Sequence, residues 1–205
     1  KGCTEFIRKL KNVEGIETVT MTTNGILLKQ YLGELQKSGI DGINVSLDTT
    51  NPKLYREITG SDAMSDVLDA IVEASKTSIP VKVNAVLFDL HGDGQTNAAS
   101  YLKLLRLAED YPVDVRFIEG MPIGRGKAFP TISSEEVFAE VQKAYPSVSQ
   151  DTRLHGYGPA KYYTIDGFRG SIGFISAIHG KFCDSCNRIR LSAVGFVKPC
   201  LCYGE

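Results

Sequence analysis

Residues 42–48 read GINVSLD, and the alternation within this stretch decides the fold class. Ile43, Val45 and Leu47 take one face of a β-strand, and the polar residues between them take the other face. The same two-faced pattern recurs in three further segments, at residues 18–22, 81–87 and 113–118. Segments with helical periodicity separate these strands, and such alternation predicts an α/β fold with a parallel sheet or barrel.

The predicted helices lie between and around these strands. They cover residues 1–12, 26–38, a short segment from Pro52, 65–76, 98–110 and 133–144. After Tyr145 the pattern changes to two β-hairpins, at residues 162–175 and 188–201. We therefore expect a partial β/α barrel over residues 1–145 and a C-terminal extension over residues 146–205.

The polar faces of the four strands indicate a binding site. If helices cover the apolar faces, the other side holds Thr22, Ser46, Lys82, Asn84 and Arg116. A closed eight-stranded barrel fills that side with branched apolar residues, and a buried cation without a ligand is costly. The pattern therefore favours an open, water-filled lumen that binds a polar ligand. Two alternatives remain: an open sheet with one solvent face, or pairing of the two cations with Asp48 or Asp114.

A cysteine cluster follows in KFCDSCNRIRLSAVGFVKPCLC, residues 181–202. Cys183, Cys186 and Cys200 have the spacing C-x2-C-x13-C, and thiolates at such spacing select zinc or an iron–sulfur cluster. With Cys202 as a fourth ligand, generic spacing favours a structural zinc site. Arg188 and Arg190 would share one strand face, an arrangement that suits an anionic or purine-bearing ligand.

The overall composition narrows the possible partners and compartments. A formal net charge of −1 argues against general nucleic-acid binding, and no apolar run is long enough to span a bilayer. No signal peptide is visible, and five cysteines without dispersed pairing suggest a reducing, cytoplasmic location. His91, His155 and His179 have no partners at ligand spacing, so we expect surface or core positions for them.

The ordered motifs resemble one known family. They are TTNG at residues 22–25, NVSLDT at 44–49, ITG at 58–60, VKVNAVL at 81–87, RFIEGMPIG at 116–124 and FCDSCNRIRLS at 182–192. Together they are similar to the radical-SAM GTP 3',8-cyclase family of molybdenum cofactor biosynthesis, over essentially the whole chain. The segment CxxCNRIRL with a later cysteine is the most specific of these motifs.

This resemblance implies an incomplete TIM-type β/α barrel whose extension holds a second [4Fe-4S] cluster. By motif position, Cys183, Cys186 and Cys200 would bind that cluster and leave one iron free for the purine. Ligation by Cys202 would close the site. In this family S-adenosylmethionine yields a radical that abstracts a ribose hydrogen from GTP, and the ribose carbon then attacks C8 of guanine.

The resemblance also implies the roles of further residues. Those implied to contact GTP are Thr22, Lys82, Arg188 and Arg190. Arg116 also lies on the predicted lumen face, and we expect it to meet the triphosphate. Those implied to contact S-adenosylmethionine are Ser46 and Met121. Ile189 would be buried on the face opposite the two arginines of the cysteine segment. The catalytic residues stay unassigned.

The chain departs from the family pattern because it contains no CxxxCxxC motif and does not begin with Met. We therefore expect an internal fragment that cannot perform the reaction alone, within an enzyme that is compatible with a homodimer. Two alternative functions remain open. One is a zinc-stabilised nucleotide-binding module, and the other is a peptide-modifying radical-SAM enzyme with an auxiliary cluster.

Overall fold

The computed structural model describes residues 2–89, 98–124, 127, 129–179 and 186–200. Its helices are α1 Cys3–Lys11, α2 Leu28–Ser38, α3 Pro52–Thr59, α4 Met64–Ser75, α5 Arg106–Asp110 and α6 Ser134–Ala144, with a 3₁₀ helix at Ala98–Leu105. Its strands are β1 Thr20–Thr23, β2 Gly42–Ser46, β3 Val81–Leu87, β4 Val113–Glu119, β5 Ser149–Gln150, β6 Lys161–Thr164, β7 Ile172–Ile175, β8 Arg190–Leu191 and β9 Val197–Lys198. The alternation of strands and helices predicted up to α6 is confirmed.

Seven strands form one mixed sheet in the order β1-β2-β3-β4-β7-β6-β5. β1 to β4 are parallel neighbours, and β7 continues the parallel part beside β4. β6 and β5 then pair in antiparallel fashion. In the described part of the chain the sheet is open, with β1 and β5 at its edges, so the predicted incomplete α/β fold is confirmed. The sheet contains strands from both sides of residue 145, and a domain boundary there stays a prediction.

The apolar core lies between the sheet and the helices. In β3 and β4 the odd-numbered residues are buried and the even-numbered residues are partly exposed. Val83, Val115 and Phe117 are completely inaccessible, and Phe117 packs edge-on against Tyr101 with ring centroids 6.0 Å apart. Burial of one face and hydration of the other follow from the period-two pattern of these strands. The polar face of the parallel strands is therefore free to form a site.

Local sequence signals explain where several helices begin. The Asn51 side chain accepts hydrogen bonds from Lys53 N and Leu54 N, and Pro52 occupies the first turn of α3. Ser133 and Glu136 form a reciprocal capping box at the start of α6. Side-chain oxygens thus satisfy backbone N–H groups that have no partner within these helices.

The second predicted hairpin, β8–β9, forms a separate two-stranded sheet. Its ladder pairs Arg190 with Lys198 and Leu191 with Val197. Gly195, with a φ of 89°, lies in the turn, where a left-handed backbone conformation favours glycine. Among the described helices, none has the length and apolar character needed to cross a bilayer.

Candidate functional site

A cleft of about 750 Å³ lies on the polar face of the sheet. Its walls come from β1 to β4, from residues 154–158 and from the segment before β8. The lining residues are Thr18, Thr20, Asp41, Gly42, Ile43, Asn44, Pro80, Lys82, Asp114, Arg116, Leu154, His155, Gly156, Tyr157, Gly158, Asn187 and Arg188. The structure thus brings together Lys82, Arg116 and Arg188, three of the residues singled out in the sequence.

The strand register arranges the polar side chains in two rows that cross the sheet. The first row contains Thr22, Asn44, Lys82 and Asp114. The second row contains Ser46, Asn84 and Arg116. Because neighbouring strands lie about 4.8 Å apart, polar groups of one row can contact the same ligand. Thr22 is exposed beside the cleft, and its contact with a ligand stays a prediction.

Arg116 is held by neutral groups. Its Nε donates to Asn84 Oδ1 at 2.8 Å, and its Nη2 donates to Asn44 Oδ1 at 3.0 Å. No carboxylate of the described residues lies within 4.0 Å of the guanidinium, so the alternative that Arg116 pairs with Asp48 or Asp114 is wrong. The two asparagines therefore orient this cation without neutralising its charge.

The charge of Lys82, in contrast, is compensated by a carboxylate. Its Nζ lies 3.1 Å from Asp114 Oδ2, so the alternative in which Lys82 pairs with Asp114 holds in this structure. The ammonium also donates to Tyr162 Oη at 3.0 Å and to the backbone carbonyl of His155. A lysine ammonium has three protons, and three acceptors surround this one.

His155 is part of the cleft wall, a position that the sequence analysis did not identify as functional. Its Nδ1 lies 2.8 Å from Asp114 Oδ2, and its Nε2 lies 2.8 Å from Asp151 Oδ2. The imidazole stacks on Tyr162 with ring centroids 4.0 Å apart and an interplanar angle of 12°. Its carboxylate partner Asp114 is 41 positions away in the sequence, a separation that local spacing rules do not reach.

Asp151 anchors the other side of this network. Its carboxylate accepts hydrogen bonds from the Arg153 guanidinium, at 2.7 Å for the shortest, and from Ser171 Oγ at 2.8 Å. The hydrogen bonds from the Arg153 side chain hold the pKa of Asp151 well below its usual range, and hydrogen bonds from Ser171 and His155 add to this effect. Burial acts in the opposite direction but is outweighed. Asp151 is therefore a fixed negative charge behind His155.

The arginines of the cysteine segment lie on the exposed β8–β9 hairpin. Arg188 lines the cleft, and Arg190 begins β8. The expectation that Ile189 is buried opposite them is wrong, because 78% of this residue is exposed in the described chain. The hairpin has two paired residues in each strand, and Leu191 and Val197 on it are largely exposed as well. Ligand contacts of both arginines stay predictions.

Two of the three predicted cluster ligands are described. Cys186 is exposed and precedes β8, and Cys200 is half-buried and follows β9. Because β8 pairs with β9, these two cysteines emerge at the same end of the hairpin. Cys183 and Cys202 lie outside the described residues, so the three-cysteine metal site stays a prediction.

The residues predicted near S-adenosylmethionine lie at the carboxyl ends of the strands. Ser46 lines a separate pocket of about 140 Å³ together with Asn24 and Asp48. Burial raises the pKa of Asp48, although a hydrogen bond from Val86 N at 2.7 Å opposes this shift. Met121 follows β4 and is half-buried. Cofactor contacts of Ser46 and Met121 stay predictions.

Glu119 ends β4 and was not identified from the sequence. Its buried carboxylate accepts hydrogen bonds from Ser134 N at 3.0 Å, Ile178 N at 2.8 Å and His179 N at 3.1 Å. Burial alone would raise the pKa of Glu119, but these backbone donors outweigh it and lower the pKa. Glu119, Glu135 and His179 could together hold a metal ion, since one ligand atom of each lies within 4.8 Å of the others. Both oxygens of Glu119, however, already accept hydrogen bonds from backbone N–H groups. Glu119 therefore fastens α6 and the segment leading to the cysteines onto β4.

Comparison with known proteins adds independent evidence. The model described as "Radical SAM superfamily" matches residues 2–102, and the model described as "Molybdenum Cofactor Synthesis C" matches residues 113–205. A GTP 3',8-cyclase from Clostridium perfringens strain 13 is 39% identical over 201 residues, covering 98% of this chain and 61% of that relative. A GTP 3',8-cyclase from Alkaliphilus oremlandii is 38% identical over 204 residues, with the same coverage of each chain. The chain thus spans about three fifths of the length of the curated relatives it matches.

Among solved structures, a radical SAM methyltransferase from Sphaerobacter thermophilus covers 60% of this chain and 36% of its own. Its sequence is 22% identical, and its TM-score is 0.47.

Proposed function

Because the chain belongs to the radical SAM superfamily over residues 2–102 and to the Molybdenum Cofactor Synthesis C family over residues 113–205, we propose that it forms the GTP-binding part of a GTP 3',8-cyclase. This enzyme, a lyase, would convert GTP to (8S)-3',8-cyclo-7,8-dihydroguanosine 5'-triphosphate in molybdopterin biosynthesis. Relatives with the name GTP 3',8-cyclase support the activity. The observation that carries the proposal is the Arg116 guanidinium in the cleft, which has no carboxylate partner among the described residues.

An oriented guanidinium without a carboxylate partner suits a phosphate group. Guanidinium groups bind phosphate through two parallel hydrogen bonds, which are stronger than hydrogen bonds between neutral groups. Arg188 and Lys82 line the same cleft, so three cations border the space that a triphosphate would occupy. We assign Arg190 and Thr22 to the guanine or phosphate end of the same ligand. The volume of about 750 Å³ is within the range of nucleotide-sized pockets.

The chain also offers thiolates for a cluster. Cys186 and Cys200 emerge at one end of the β8–β9 hairpin, and soft sulfur ligands suit iron–sulfur chemistry. We propose that these two residues and Cys183 hold a [4Fe-4S] cluster, and that Ser46 and Met121 contact S-adenosylmethionine. When bound, the two cofactors supply the one-electron chemistry that starts the reaction. The role of this chain is then to bind and orient the nucleotide beside them.

The remaining parts of the proposal concern partners and location. GTP is the small-molecule partner, and the net charge of −1 speaks against general nucleic-acid binding. We propose a cytoplasmic enzyme, compatible with a homodimer and without a membrane partner.

The Arg116→Gln variant tests the proposal. Glutamine can still bond the asparagines but lacks the charge, so we expect GTP to bind about 10- to 100-fold more weakly in isothermal titration calorimetry. Arg106→Gln removes an exposed arginine of α5, a helix away from the cleft, and serves as the matched control with unchanged affinity. Equal GTP affinity of Arg116→Gln and the unmodified chain would contradict the proposal.

A further inference from the structure

The three protons of the Lys82 ammonium are already used in this structure. Their acceptors are Asp114 Oδ2, Tyr162 Oη and the carbonyl oxygen of His155. Because an ammonium group has three N–H donors and no acceptor, no donor remains for a ligand in this arrangement. A phosphate that binds Lys82 must therefore replace one of these three acceptors.

The three acceptors differ in how readily a ligand can replace them. Asp114 carries a charge and also lies against His155, and Tyr162 is a buried residue of β6 that packs over Gly173. The His155 carbonyl is neutral, and it belongs to residues 154–158, which line the cleft. A charged phosphate oxygen is a stronger acceptor for an ammonium group than a neutral carbonyl is. The carbonyl is therefore the acceptor that an incoming phosphate displaces.

The side chain of His155 sets how firmly its carbonyl is held. The imidazole lies between Asp114 and Asp151 at 2.8 Å from each and stacks on the Tyr162 ring. Leu154 and Tyr157, on either side of it, are largely exposed. The segment is thus anchored by the His155 side chain and exposed to solvent on either side of it, which leaves space for a local shift of residues 154–158 that releases Lys82.

We propose that Tyr162 and His155 are positioning residues that occupy the Lys82 ammonium until a ligand binds. A phosphate group of the ligand then binds Lys82 by replacing the His155 carbonyl and displacing residues 154–158. The inference rests on the proposed function, because it takes the ligand to be a nucleoside triphosphate. It assigns Tyr162 and His155 a role that acts through Lys82 and requires no direct contact with the nucleotide.

The Tyr162→Phe variant tests this role because it frees one Lys82 proton and keeps the ring that stacks on His155. The ligand then binds Lys82 without displacing the carbonyl, so we expect affinity for GTP and for inorganic tripolyphosphate to rise about tenfold. In a Lys82→Met background the same change should give no gain. Tyr163→Phe, on the opposite face of β6, is the matched control with unchanged affinity.

The pattern of outcomes separates this inference from the proposed function. If the unmodified chain binds GTP and Tyr162→Phe binds it equally or more weakly, the inference is wrong and the proposed function stands. A gain that persists in the Lys82→Met background also overturns it, because the effect then bypasses Lys82. If the unmodified chain, Tyr162→Phe and Tyr163→Phe all fail to bind both probes, the proposed function and the inference fall together.

Discussion

The Glu119→Gln substitution should destabilise the protein more than its nearly identical shape suggests. Glutamine has one acceptor oxygen, whereas Glu119 uses both of its oxygens for backbone donors. In the better orientation the amide oxygen keeps Ile178 N and His179 N, and the NH₂ group then faces Ser134 N. An unpaired buried donor costs about 1–3 kcal/mol, and two bonds that lose an ionised acceptor cost about 1 kcal/mol each. We therefore expect a loss of about 3–5 kcal/mol in the free energy of unfolding.

Urea unfolding followed by circular dichroism measures this loss, with Glu14→Gln as the control at an exposed carboxylate. Since the folded pKa of Glu119 is lowered, its contribution is present above the pKa of the unfolded state. That contribution is lost as the pH falls through the lower folded pKa, so acid should weaken the unmodified protein more than the variant. A variant within about 0.5 kcal/mol of the unmodified protein at neutral pH would refute the reasoning.

Two further predictions concern the backbone and the cysteines. A Cβ on Gly170 would lie 1.9 Å from the Val113 carbonyl oxygen, so Gly170→Ala should lower the melting temperature sharply. Gly33 lies in α2 with open space around it, so Gly33→Ala should raise the free energy of unfolding by about 1 kcal/mol. Equal melting temperatures of the two variants would contradict this. After anaerobic reconstitution, iron and sulfide analysis should show loss of iron for Cys200→Ser and full iron content for Cys202→Ser. One equivalent of bound zinc instead of iron would support the zinc-stabilised alternative.

The parallel core was predictable because its signals are local. β3 was predicted with the observed bounds and β4 within one residue, since both have an unbroken period-two pattern. Ser133 and Glu136 likewise gave the start of α6, because a capping box is complete within four residues. The segment 98–110 was predicted as one helix but is a 3₁₀ helix followed by the short α5, a difference that the apolar pattern does not encode.

The contacts that complete the site depend on pairing between distant segments. A hairpin over residues 162–175 was predicted, but nothing local indicated that β7 would join β4 in parallel. That pairing places β6 in the same sheet beside β7, and the Tyr162 side chain then meets Lys82 from 80 positions away. A pattern of single residues can therefore identify Lys82 and Arg116, but it cannot identify the groups that hold them.

The unequal compensation of the two lumen cations gives them different parts in binding. Lys82 and Arg116 lie on neighbouring strands and in adjacent rows, about 7 Å apart along the strand direction at a rise of about 3.3 Å per residue. Arg116 can bind an anion without losing a carboxylate partner, because in the described part of the chain only neutral amides hold it. Lys82 must first give up one of its acceptors. A single phosphate can satisfy Arg116 alone. A chain of phosphates reaches both rows. Only a ligand long enough to contact both cations therefore gains enough binding free energy to offset the hydrogen bond that Lys82 loses.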